Sequence, residues 1–101
     1  MLTIDFAGIS FEGPLPLAAL PRVAGLYAVL GVRSPSGYPV IDIGESEDIC
    51  ARVQAHDRKD CWERHGAVAF AAHQMARSTK EERLALESLL RKNFNPSCGQ
   101  R

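Results

Sequence analysis

Apolar positions along the chain change their period several times, and each change marks an element. Residues 25–32 (GLYAVLGV) are an unbroken apolar, partly β-branched run, which predicts a buried strand. The turn cluster Ser34-Pro35-Ser36-Gly37 follows, then residues 38–44 (YPVIDIG), so 25–44 reads as a β-hairpin. Strict alternation in the second strand would put Tyr38, Val40 and Asp42 on one face, and Ile41 and Ile43 on the other. Gly44 closes that strand. Ser46 is the expected N-cap of a helix over 47–57, with Glu47 and Asp48 at the positive end of its dipole. Residues 67–75 (AVAFAAHQM) predict a third strand. Thr79 and Glu82 have capping-box spacing for a helix over 80–94. That helix ends at Asn95-Pro96, because a residue before proline avoids the helical region.

The N-terminal stretch is less regular. Residues 2–6 (LTIDF) suit a short edge strand. Residues 13–21 (GPLPLAALP) hold three prolines and read as a segment that crosses the surface without regular structure. The expected fold class is α+β: a small antiparallel three-stranded sheet flanked by helices, in the order β-β-α-β-α. Residues 1–22 are expected to form an N-terminal extension, and 23–101 the domain itself.

Composition narrows the function classes. A chain of 101 residues has the size of one domain. Its 12 Lys+Arg and 12 Asp+Glu cancel, which excludes a uniformly basic nucleic-acid coat. The cancellation hides an asymmetry. Residues 1–48 carry a formal charge of −4 and residues 49–101 one of +4, so a local phosphate-binding face is compatible with neutrality. The cysteines Cys50, Cys61 and Cys98 are few and odd in number, which reads as reduced thiols rather than a disulfide frame. The first twenty residues contain no Lys or Arg and carry Asp5 and Glu12, unlike a secretory signal. No run approaches the roughly 20 apolar residues of a membrane span. The expected location is the cytoplasm, with no membrane partner.

Candidate chemistry sits on the two predicted helices. On the first, Ile49, Val53 and His56 share a stripe with Arg52 at its edge, and Arg52 and His56 are i,i+4 neighbours. On the second, Leu86, Leu89, Leu90 and Phe94 make the apolar face, with Glu87 at its margin. A carboxylate there needs a cation, a donor or a metal.

In order and spacing these residues resemble the GIY-YIG nuclease domains. Gly25-Leu26-Tyr27 stands where the first signature falls. Asp42-Ile43-Gly44-Glu45-Ser46 leads to Arg52-x-x-x-His56, as the second signature leads to its Arg and His. Glu87 precedes Pro96 by nine residues, as the late-helix Glu precedes its Pro. The resemblance covers about residues 23–99 and departs from the family twice: Asp42 replaces the second motif's Tyr, and the terminal Asn is absent where Cys98-Gly99 falls.

The resemblance implies a divalent-metal-dependent endonuclease with catalytic residues Tyr27, Arg52, His56 and Glu87. Glu87 would bind one Mg²⁺ or Mn²⁺, with Asp42 as a second ligand or as the loss of a hydrogen bond. Tyr27 would orient or deprotonate the attacking water, Arg52 would meet the phosphate charge, and His56 would relay a proton. Arg52, Arg58, Lys59 and Arg64 would contact nucleic acid, DNA ahead of RNA. A homodimer or a protein partner would supply specificity. The two departures leave open a catalytically degenerate domain that binds nucleic acid or a protein.

Each residue also has a structural reading. Tyr27 and His56 would be core residues, and Arg52 would pair with Glu45 or Asp48. Glu87 would pair with Arg91, and Asp42 would face solvent. Trp62, among Arg58, Lys59 and Arg64, would anchor a loop to the core rather than stack on a base. Cys61-x-x-x-His65 with Cys98 and His73 offers soft metal ligands, but their spacing matches no standard zinc pattern.

Overall fold

A computed structural model describes residues 2–99. Over these described residues the fold is α+β, with five strands, three helices and a short 3-10 turn at Leu17–Ala19. In chain order the elements are β1 (Thr3–Phe6), β2 (Ile9–Leu15), β3 (Gly25–Leu30), β4 (Val40–Ser46), α1 (Ile49–Gln54), α2 (Lys59–Arg64), β5 (Ala69–Gln74) and α3 (Lys80–Phe94). The strands form one antiparallel sheet in the order β1-β2-β5-β3-β4.

The expected three-stranded sheet is therefore too small. Its three strands are there as β4-β3-β5, and the N-terminal hairpin β1-β2 adds two more on the β5 side. The prolines of 13–21 hid β2. Pro14 lies inside that strand, where the pairing with β5 shifts register between Glu12 and Leu15. A proline gives no N–H to a ladder and is tolerated at such an irregularity. Gly13 beside it lies close to β5: a Cβ there would sit 2.9 Å from the Ala71 Cβ and from the Phe70 carbonyl oxygen.

A second irregularity sets the two faces of the sheet. The pairing of β3 with β4 shifts between Val29 and Leu30: Val29 faces Asp42 and Leu30 faces Val40, which leaves Ile41 as the extra residue of a bulge. Strict alternation therefore fails here. Ile41 packs with Tyr27, Val29, Ile49, Val53 and Trp62 on the face covered by α1 and α2. Ile43 and Val40 pack on the other face, with Phe6, Phe11, Leu26, Ala28, Leu30 and Leu90. The bulge turns Asp42 toward the first face, where it is fully buried rather than facing solvent.

The helices are shorter than expected in one place and as expected in another. The predicted 47–57 helix is shorter, ending as α1 at Gln54, and a second short helix, α2, which the pattern did not reveal, follows beyond that segment. Asp48, not Ser46, caps α1: its carboxylate accepts from the Ala51 amide at 3.0 Å, and Ser46 braces the cap by accepting from the Asp48 amide. The Thr79–Glu82 capping box forms in both directions at the start of α3. Asn95 ends α3 in a left-handed conformation (φ 43°), and Pro96 follows. The buried residues of α3 are Arg83, Glu87 and Leu90, while Leu89, expected in the apolar face, is exposed. Arg83 is buried because its guanidinium donates to Glu45 Oε1 at 2.9 Å and to the Ser78 carbonyl and hydroxyl.

Candidate functional site

Asp42 is the hub of a polar cluster between β4, α2 and α3. Its Oδ2 accepts from Arg58 Nε at 2.8 Å and from the indole Nε1–H of Trp62 at 2.7 Å. Its Oδ1 accepts from Arg91 Nη2 at 2.5 Å, from Arg58 Nη2 at 3.3 Å and from the Ile43 amide at 2.8 Å. Arg91 also donates to the Ile43 carbonyl, to the Cys98 carbonyl at 3.2 Å and to Glu87 Oε2 at 3.1 Å. A buried carboxylate is retained only when its lone pairs are filled, and five donors fill these. Asp42 thus faces two guanidiniums and an indole, a set of partners with no place for it as a second metal ligand.

Sequence reasoning did not assign Arg91 and Trp62 to Asp42, nor Arg58 to any carboxylate. The signal was present: an Asp inside the apolar run Val-Ile-Asp-Ile needs buried donors, and the donors had to come from cationic or N–H side chains elsewhere.

Tyr27 and His56 form a second pair, also buried. Tyr27 Oη and His56 Nε2 are 2.6 Å apart. The Arg58 backbone amide donates to His56 Nδ1 at 3.0 Å, so in the neutral ring Nδ1 is the acceptor and Nε2 carries the proton. His56 therefore donates to Tyr27. Burial, with Arg52 and Arg58 nearby, lowers the His56 pKa to about 4, so the ring is neutral at pH 7. Burial, reinforced by the Asp42 carboxylate, raises the Tyr27 pKa above its ordinary value; Arg58 and Arg52 oppose this without reversing it. Tyr27 is a protonated phenol, a donor rather than a base. Gly44 makes room for it: a Cβ at that position would lie 2.1 Å from the Tyr27 hydroxyl.

The remaining expected residues differ in access. Arg52 is half-exposed and pairs with Asp57 Oδ1 at 3.3 Å, not with Glu45 or Asp48. Glu87 is buried at its i,i+4 contact with Arg91, and it lines an open groove of about 980 Å³ with Leu84, Ser88, Arg91, Lys92 and Pro96. Tyr27, Arg52 and His56 do not line that groove. Tyr27 nevertheless lies within the electrostatic reach of Asp42, Arg58, Arg52 and Glu87. Among the expected nucleic-acid contacts, Arg64 is exposed, Arg58 is turned inward to Asp42, and Lys59 donates to the Gln54 carbonyl.

The cysteines correct one expectation. Cys61 on α2 and Cys98 in the C-terminal segment form a disulfide, and Cys50 is free and buried. The spacing of 37 residues concealed the pair, because only the packing of the C-terminal segment on α2 brings the two sulfurs together. No protein-family model matches the chain, and no curated protein matches it at a significant level. Among the described residues no helix is long and apolar enough to cross a membrane.

Proposed function

We propose that the chain is a divalent-metal-dependent endonuclease of the GIY-YIG type, hydrolysing phosphodiester bonds of nucleic acid, DNA ahead of RNA. The observation that supports it is the convergence on one tyrosine. Tyr27 from β3 is bonded to His56, and it feels the charges of Arg52 from α1 and Glu87 from α3. These are the four residues that the family resemblance singles out.

In this reading Glu87 holds one Mg²⁺ or Mn²⁺. A single carboxylate facing an open groove fits such ions, which keep several waters and share substrate phosphate oxygens. When bound, the ion would neutralise charge on the phosphate and the leaving oxygen. Tyr27 keeps its proton and offers it as a hydrogen bond from Oη, which is held in place by the His56 Nε2–H. Arg52, with its planar fork at the surface, meets the charge that develops on the phosphate. Asp42 acts indirectly, by fixing Arg58 and Arg91 on either side.

The test is cleavage of plasmid, single-stranded DNA and RNA in the presence of Mg²⁺ or Mn²⁺. Cutting that requires the ion and is lost in Glu87→Gln and Arg52→Ala is the expected result. Cutting that survives Glu87→Gln overturns the metal role. A second reading has its own support: Tyr27 is only 1 % exposed and does not line the groove, as suits a non-catalytic domain that binds nucleic acid or a protein. Retention of nucleic acid without cleavage of any substrate would select it.

A further inference from the structure

The sulfurs of Cys61 and Cys98 and a ring nitrogen of His65 lie within 4.8 Å of one another, the only such cluster of three metal-ligating residues among those described. Cys61 and His65 are i,i+4 across α2 and its C-cap, so both side chains project from one side of the helix. Cys98 comes to them from the C-terminal segment. Its amide donates to the Ile41 carbonyl at 2.8 Å and its carbonyl accepts from Arg91, so its position is fixed by backbone bonds rather than by sulfur chemistry alone. His73, the other histidine that the sequence offered to this set, is elsewhere, with its Nδ1 2.9 Å from the Ser10 carbonyl oxygen.

We propose that these three residues are a thiol-dependent Zn²⁺ site, of which the disulfide is the oxidised, metal-free form. Two thiolates and an imidazole are a soft donor set that selects Zn²⁺ over Mg²⁺ or Mn²⁺. Cys98 is buried, Cys61 half-buried and His65 exposed, so a fourth, outward position is open to water. Guanidiniums stand close by: a Cβ on Gly99, next to Cys98, would lie 2.6 Å from Arg91 Nη2 and 2.9 Å from Arg58 Cζ. Cations beside a thiol favour the thiolate that a metal needs.

The chemistry balances in two steps. A dithiol reductant gives two electrons and two protons to the Cys61–Cys98 disulfide and is itself oxidised to a disulfide. Zn²⁺ then binds the two sulfurs and the neutral imidazole, and the two thiol protons leave to solvent. Either link, disulfide or zinc, ties α2 to the C-terminal segment. Beside that tie, Trp62 on α2 and Arg91 on α3, which donates to the Cys98 carbonyl, both bond Asp42.

The experiment is titration of Zn²⁺ into the full chain, reduced and oxidised, by calorimetry in buffers of different ionisation enthalpy. Co²⁺ serves as the spectroscopic probe. The reduced protein should bind one Zn²⁺ with release of protons, and should show a thiolate-to-Co²⁺ charge-transfer band. The oxidised protein should bind none. His65→Ala, an exposed change that spares the core, should weaken Zn²⁺ binding at least tenfold, and Cys61→Ser should remove the charge-transfer band or reduce it by half. Glu87→Gln should leave the affinity unchanged, which separates this site from the groove. The proposal is overturned if the reduced protein binds no Zn²⁺, if His65→Ala binds as tightly as the unaltered chain, or if Glu87→Gln removes the binding.

Discussion

The Tyr27–His56 hydrogen bond has one direction because the Arg58 amide occupies the far nitrogen of the ring. A neutral, buried imidazole also links this site to stability. The unfolded chain takes up a proton on His56 below its ordinary pKa of about 6.5, whereas the folded ring resists it until about 4. The stabilisation is therefore fully present above pH 6.5 and is lost as pH falls through that window. Urea unfolding followed from pH 8 to pH 4 should show this loss, and His56→Asn should flatten the slope. Asp42 gives a sharper expectation. Asp42→Asn keeps the shape but leaves Arg58 and Arg91 without their carboxylate. Removing one partner of a buried pair costs about 3–5 kcal/mol. A midpoint of chemical unfolding unchanged by Asp42→Asn would refute the hub role.

Among the elements, α3 and β4 carry the clearest lessons. The capping box of α3 was legible because Thr-x-x-Glu before a helical pattern is a local signal, and both of its hydrogen bonds form. Thr79→Ala should cost about 1 kcal/mol, and for a domain of this size the melting temperature should drop by about 4–8 °C per kcal/mol. Thermal melts of the two proteins check it. The bulge in β4 was not legible. Alternation assigns faces only while pairing is regular, and one extra residue at Ile41 exchanges the faces from there on. The second short helix α2, which begins beyond the 47–57 segment, was equally hidden, and the link between the two helices is braced by a bond from the Arg58 amide to the His56 ring two residues back.

At the scale of the whole molecule, the N-terminal hairpin completes the sheet. β2 covers the edge of β5, and Phe6 and Phe11 fill the core on the α3 side, with Phe6 edge-on to Phe94 at 5.4 Å. Deleting residues 1–15 should expose an unpaired, apolar strand edge, which promotes self-association. Size-exclusion chromatography should find aggregates, and a monomer that melts at the full chain's temperature would refute the role assigned to the hairpin. The charge asymmetry between the halves is resolved here as well. Part of the basic excess turns inward, because Arg58, Arg83 and Arg91 are spent on Asp42, Glu45 and Glu87, while Arg52 and Arg64 remain at the surface.

The sequence by itself determined the α+β class, the β3–β4 hairpin, β5, the start and end of α3, and the set Tyr27, Arg52, His56 and Glu87 as residues to inspect. These rest on local rules: apolar runs, capping chemistry, the turn cluster and the bar that proline sets to a helix. The tertiary structure alone decided the five-strand order, the burial of Asp42 beneath Arg58, Arg91 and Trp62, and the meeting of Cys61 with His65 and Cys98. Each of those depends on contacts between residues far apart in the chain, from Asp42 to Arg91 and from Cys61 to Cys98. No local period encodes them, because they are set by how a bulged strand, a short helix and the C-terminal segment share one small space.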